Sequence, residues 1–185
     1  MQAAEKMDYV SVSEYLVAEA ARAVRHEYLG GLVYAMAGET RDHNQIVGNL
    51  LCAIRRQVNG TADQVYMIDI RVNLQFLNGE CFYYPDLVVT CDKRETDARF
   101  IRYPKLIVEV LSECTERVDK REKFFAYTNI ETLDEYVLVA QASHEVTVFR
   151  RANNWKGETV TDASGCVVLK SLRLKVPLAE IYEGV

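Results

Sequence analysis

Glu109 interrupts "KLIVEVLS" (105–112), a run whose other members Leu106, Ile107, Val108, Val110 and Leu111 have the aliphatic and β-branched character of a strand buried on both faces. An unpaired carboxylate there costs several kcal/mol of desolvation. Asp86 repeats the pattern in "YYPDLVVT", heading a second apolar run directly after Pro85, which cannot donate to a central ladder and so marks a strand's first position. Two such acids close together raise each other's pKa, and a shared cation removes that penalty. Magnesium suits the place, because it takes oxygen ligands and commonly uses one or two carboxylates with water and a substrate phosphate; Mn²⁺ is the alternative ion. For either acid alone, a partner arginine or a position at the sheet's polar edge remains the structural alternative.

A positive charge belongs to the same chemistry. Alternation along the strand puts Glu109 and Leu111 on one face and Val108 and Val110 on the other. In the nuclease pattern PD...(D/E)xK a lysine commonly stands where Leu111 stands here. The following element can supply one: "VDKREKFFAY" sets Asp119, Lys123 and Tyr127 at i, i+4 and i+8 along one helical face. The structural alternative is an Asp–Lys surface pair adding about 0.2–0.5 kcal/mol to the helix.

The elements that must hold these residues are legible from period and punctuation. Ser11 and Glu14 have capping-box spacing, which predicts a helix from about Val12 to Val24. "EYLGGLVYAMAG" reads as two short strands around Gly30-Gly31. Ile46, Val47, Leu50, Leu51, Ile54 and Val58 recur at helical spacing, with Gly60 as C-terminal cap. "QVYMIDIRVNLQFL" and "CFYYPDLVVTCD", joined at Asn78-Gly79, form a second strand pair. After the Glu109 strand come the helix "ERVDKREKFFAYTNI", the strands "EYVLVAQ" and "EVTVFRR", a further hairpin and a terminal helical turn. This order predicts an α/β fold, one mixed β-sheet flanked by helices.

At 185 residues and 49% hydrophobic, the chain most simply forms one domain, 1–185. A net charge of -5 argues against coating nucleic acid through bulk charge. "DKRETDARFIRYPK" gathers Lys93, Arg94, Arg99, Arg102 and Lys105, with Lys120, Arg121 and Lys123 further on; these are either solvated loop charges or a phosphate-tracking patch. Five scattered cysteines, Cys52, Cys81, Cys91, Cys114 and Cys166, include no CxxC pair, so neither disulfide framework nor zinc site is suggested. No stretch of eighteen apolar residues and no basic-then-apolar N-terminal pattern occurs, and a cytoplasmic protein without a membrane span is expected. Ser112 lacks a nucleophile-elbow setting, His26, His43 and His144 lack metal-ligand spacing, and no P-loop or dinucleotide fingerprint is present.

"YYPDLVVTCD", "LIVEVLSECTERVDKREKFFAYTNIETLDEYVLV" and "HEYLGGLVYAMAGETRDHNQIVGNLL" resemble the Uma-type family of restriction endonucleases, a branch of the PD-(D/E)XK superfamily. The likeness runs from "VSEYL" to "PLAEIY", and E-V-L-S followed by T-x-x-x-D-x-x-x-K and Y is its most specific part. Glu113 stands where the family often has proline. The resemblance implies a restriction-endonuclease-like fold in which Asp86 and Glu109 bind the metal, Val110 offers its backbone carbonyl to it, and Lys123 orients or deprotonates the attacking water. It implies a further acidic position at Glu27, holding water or a second ion, and places His43 and Tyr127 toward the substrate. Glu27 and His43 have structural alternatives.

The chemistry so implied is Mg²⁺-dependent hydrolysis of DNA phosphodiester bonds by a homodimer, since related nucleases pair to cut both strands. The alternative is a non-catalytic module of the same fold that binds nucleic acid or protein, because fold alone does not fix function. The complete set Asp86, Glu109 and Lys123 favours the enzyme, a degenerate relative having little reason to keep all three.

Overall fold

The computed structural model describes residues 9–76, 79–112 and 116–185. Asn78 of the expected turn, Glu113, Cys114 and Thr115 lie outside the described residues.

Ser11 caps α1 (Val12–Ala21) as its spacing predicts: its hydroxyl accepts the Glu14 N–H while the Glu14 carboxylate accepts the Ser11 N–H. The helix ends short of the expected Val24. Arg22 is extended, and buried Glu19 accepts the His26 N–H at 2.8 Å, turning the chain into β1 (His26–Leu29). Gly30 and Gly31, at φ 53° and 103°, close the hairpin to β2 (Leu32–Ala35). In α2 (Arg41–Val58) the Thr40 hydroxyl accepts the His43 N–H, and Gly60 follows the helix at φ 78°.

The next apolar stretches do not make one strand pair. The first divides at Asp69, whose φ of 78° turns the chain and whose carboxylate holds Arg25 at 2.6 Å, giving β3 (Gln64–Met67) and β4 (Arg71–Phe76). The second divides at Pro85–Asp86 into β5 (Gly79–Tyr83) and β6 (Leu87–Thr90). At both breaks the chain passes from one sheet to another. Then follow β7 (Phe100–Ile101), β8 (Leu106–Leu111), α3 (Glu116–Val118), a π-helical turn (Asp119–Lys123), α4 (Phe124–Thr128), β9 (Glu135–Ala140), β10 (Val146–Arg150), β11 (Glu158–Val160), the hairpin β12 (Cys166–Leu169) and β13 (Leu174–Pro177), and α5 (Leu178–Ile181).

The single mixed sheet expected is therefore two mixed sheets and a hairpin. One has the order β2-β1-β5-β4-β7, antiparallel except for β4 beside β7; the other runs β11-β10-β9-β8-β6-β3, antiparallel except for β8 beside β9. The fold class stands: mixed sheets flanked by helices. Ile46, Leu50 and Ile54 of α2 pack on Val108, Val110, Val137 and Val139 of the six-stranded sheet. The opposite face of that sheet, with Ile107, Leu111, Tyr136 and Leu138, meets Val72, Leu74 and Tyr83 of the five-stranded sheet and Tyr127 of α4. Tyr15 of α1 covers the far face of the five-stranded sheet against Tyr28, Val33 and Phe82. Among the described residues no helix is long and apolar enough to cross a membrane.

Candidate active site

Every residue of β8 is buried, Glu109 included at 3% exposure. As the alternation predicts, Val108 and Val110 turn toward α2, while Glu109 turns toward the helical segment after β8. Its Oε1 lies 3.1 Å from Lys123 Nζ and accepts the Tyr127 hydroxyl at 3.2 Å. The same ammonium stands 3.1 Å from Glu27 Oε1 on β1 and 3.1 Å from Asp119 Oδ1. Asp119 and Lys123 are buried, so they do not form the surface pair that helical spacing also allowed.

The π turn brings these side chains into line. In an α-helix four residues overshoot a full turn by about 40°, so i and i+8 diverge by about 80°. A wider turn over Asp119–Lys123 rotates less per residue and offsets the drift, which lets Asp119, Lys123 and Tyr127 share one inward face. The carbonyl of Asp119 accepts the Tyr136 hydroxyl at 3.1 Å.

Asp86 sits where the chain crosses between the sheets. Its Oδ2 accepts the Val110 N–H at 2.7 Å, fixing it beside the residue that follows Glu109. His43 Nε2, on the first turn of α2, is 3.1 Å from the Val110 carbonyl oxygen and 3.3 Å from Asp86 Oδ2, so one ring N–H can serve both. Burial opposes an imidazolium here, but the hydrogen bond and charge of Asp86, then Glu39 and the Val110 carbonyl, outweigh it and raise the His43 pKa. Glu27 Oε1 accepts the Tyr84 N–H at 3.3 Å.

All seven residues singled out in the sequence thus fall in one neighbourhood, though not all as expected. Tyr127 is fully buried beneath Glu109 and so not open to a substrate, whereas His43, at 3% exposure, sits on the wall of the cleft beside Asp86. Both brace the carboxylates. Asp119 is the participant that spacing showed but its surface reading concealed, and Glu39 and Tyr136 gave no sequence signal.

The cluster holds more negative than positive charge. Burial, reinforced by Asp119, Asp86 and Glu27 and opposed by Lys123, pushes the Glu109 carboxyl well above its ordinary range. Burial also works against charge on Lys123, but Glu109, Glu27 and Asp119 outweigh it and hold the ammonium protonated well beyond its usual range.

Residues 12–176 match a family model described as Uma2, "Putative restriction endonuclease". The chain belongs to the Uma2 family. Relatives of this Uma2 chain include two proteins of Synechocystis sp. (strain ATCC 27184 / PCC 6803 / Kazusa): slr1290, 33% identical over 95% of this chain and 92% of its own, and sll1609, 26% identical over 78% and 82%. The fold resembles the crystal structure of a protein from Anabaena variabilis ATCC 29413 described as "a putative nuclease belonging to DUF820", with a TM-score of 0.75 and 15% identity across 94% of this chain and 97% of that one.

Asp86, Glu109 and the Val110 carbonyl offer oxygen atoms of the hard kind Mg²⁺ takes, with His43 Nε2 already 3.1 Å from that carbonyl, and a divalent cation would offset the excess of carboxylates. Among the described residues no three His, Cys, Asp or Glu side chains are grouped to hold a metal ion, so any such ion would rest on two carboxylates, the backbone carbonyl and water. Glu27, expected as a further ligand, has its Oε1 on Lys123 and the Tyr84 N–H. A cleft of about 490 Å³, lined by Met36, Glu39, His43, Tyr84 and Asp86 among others, opens on the site.

In the basic segment 92–105 three of the five cations are paired with carboxylates. Arg94 pairs with Asp92, Arg99 with Asp97 and Lys105 with Asp63, while Arg102 donates to Asn73.

Proposed function

We propose that this Uma2 protein is a metal-dependent endonuclease that hydrolyses DNA phosphodiester bonds at Asp86, Glu109 and Lys123. The observation that carries the reading is that the Asp86 carboxylate, at the β5–β6 crossing, is tied to the residue after Glu109 on β8, whose own carboxylate lies 3.1 Å from an ammonium. A bound Mg²⁺ or Mn²⁺ would lower the pKa of its water and neutralise charge growing on the phosphate. Asp86, Glu109 and the Val110 carbonyl would hold that ion. The Val110 N–H and His43 keep Asp86 aimed, and Tyr127 does the same for Glu109. Lys123, held protonated by its three carboxylates, orients the attacking water and steadies the phosphate rather than taking a proton. The chain acts as one domain, cytoplasmic and homodimeric; elution at its 21.1 kDa monomer mass would count against the pairing.

The rival reading, a non-catalytic module, draws support from the same cluster, because its acids and lysine are mutually partnered inside the fold. Plasmid nicking with Mg²⁺ or Mn²⁺ separates the two. Wild-type protein should nick and Asp86→Ala should not; nicking that survives the substitution, or is lost on further purification, removes the enzyme reading.

A further inference from the structure

The five-stranded sheet ends at β2, and this edge lacks the devices that keep sheet edges from pairing. The opposite edge, β7, is only Phe100–Ile101; in the six-stranded sheet β11 carries Glu158, and β3 begins beside the Asp63–Lys105 ion pair. From Tyr28 to Gly38, by contrast, there is neither a charged residue nor a proline. The Gly30-Gly31 turn makes Leu29 and Leu32 a hydrogen-bonded pair, and the Met36 N–H, which donates to the Arg25 carbonyl at 2.8 Å, keeps the same alternation. Leu32, Tyr34 and Met36 therefore direct their backbone groups to β1, while Val33 and Ala35 turn theirs outward. Val33 is buried beneath α1, so Leu32 and Tyr34 share the other face, at 45% and 50% exposure. The free edge stops at Gly31, whose carbonyl accepts the Val10 N–H at 3.0 Å.

We propose that β2 pairs with β2 of a second copy, antiparallel about a two-fold axis at Tyr34. That register sets Val33 against the partner's Ala35 and Ala35 against the partner's Val33, so every outward N–H and C=O of these residues finds a partner. Tyr34 then meets its own image at a non-hydrogen-bonded position, where opposed side chains come closest, and Leu32 meets the partner's Met36 on the same face. A two-fold seam presents the same patch from both sides, so a charged edge repels itself and an uncharged, apolar one does not. This neutrality favours a second copy over an unrelated strand. Glu27, which stands across from Tyr34 on β1, falls in one row with Tyr34 and their counterparts in the partner. Neighbouring strands lie about 4.8 Å apart, so the two Glu27 positions stand about 14 Å apart on one face of a continuous sheet. Each Glu27 lies against Lys123. On the nuclease reading, on which only this consequence rests, two sites so placed face one duplex together across a distance close to the roughly 12 Å of a major groove, and each half cuts one strand.

The test is sedimentation velocity of the full chain in EDTA across micromolar concentrations, where the wild type should form dimers. Tyr34→Lys sets two ammonium groups against each other and should weaken dimerisation at least about ten-fold. Ala35→Pro removes an outward N–H without touching the β1 ladder and should do the same. Tyr34 is half-exposed, so the lysine variant folds even where the proline variant does not. Tyr34→Cys should oxidise to a covalent dimer beyond the level set by the native cysteines in the wild type, because opposed Cα atoms at such a position are about 4.5 Å apart, within disulfide reach. Leu32→Cys should not, since it faces the partner's Met36. A wild type that stays monomeric, a dimer that survives both Tyr34→Lys and Ala35→Pro, or Leu32→Cys crosslinking as readily as Tyr34→Cys overturns the pairing. A Tyr34-dependent dimer that never nicks plasmid in Mg²⁺ leaves the seam standing and removes the nuclease reading. Nicking by a wild type that stays monomeric does the reverse.

Discussion

Replacing Lys123 with methionine removes the ammonium while keeping most of the side chain's length. Three carboxylate oxygens, from Glu27, Glu109 and Asp119, then lose a cation that stood 3.1 Å from each. Deleting one partner of a buried ion pair typically costs about 3–5 kcal/mol, because the remaining charge is left uncompensated. For a chain of this size each kcal/mol lowers the thermal midpoint by roughly 2–4 °C, so a fall of roughly 6–20 °C is expected at pH 7 in EDTA. Circular dichroism melts would measure it. The deficit should shrink as the pH is lowered toward 5, since burial already pushes the Glu109 carboxyl up and, without its cation, it takes up a proton more readily still. Adding Glu109→Gln should recover part of the loss, with a coupling of about 0.5–3 kcal/mol. A midpoint that moves by less than about 2 °C, equivalent to under roughly 1 kcal/mol, would show that the ammonium is not the buried counter-ion described here. A deficit independent of pH would count equally against it.

Two further outcomes follow from the same geometry. Glu109 holds its proton to higher pH in the folded protein than in the unfolded chain, so its contribution is fully present below the ordinary carboxylate range and is lost as pH rises toward the folded value. Relative to Glu109→Gln, metal-free wild type should lose stability as the pH rises above about 4.3, the ordinary carboxyl value of the unfolded chain. The Glu109→Gln midpoint at pH 8 should be no lower than the wild type's; a large drop would contradict the burial cost assigned to this carboxylate. Arg150 is buried, donates to Glu135 at 2.7 Å and to the Val168 carbonyl at 2.6 Å, and lies on β10 away from the carboxylate cluster. Arg150→Met should cost about 3–5 kcal/mol, read from thermal melts, while nicking at 20 °C is unchanged.

Asp86 and Glu109 were legible because each is a carboxylate inside an apolar run, a pattern whose desolvation cost demands a partner. Lys123 was legible from spacing and resemblance. The two-sheet architecture was not, because the left-handed turn at Asp69 and the crossing at Pro85–Asp86 lie inside otherwise continuous apolar stretches. Alternation looks the same whether a strand continues in its sheet or its successor joins another. The π turn was hidden for a similar reason: the i, i+4, i+8 row reads as an α-helical face, and only the packed backbone shows the wider turn that points it inward. Burial of Asp119, and exposure of Tyr34 on an edge strand, depend on which neighbours cover each face, which no local pattern records.

The ion cluster draws Glu27 from the five-stranded sheet, Glu109 from the six-stranded sheet and Lys123 from the helix between β8 and β9, and so rivets the layers together. A lineage under no catalytic demand would still be held to Lys123 by the need to fold. Possession of that lysine by itself would then report architecture rather than turnover.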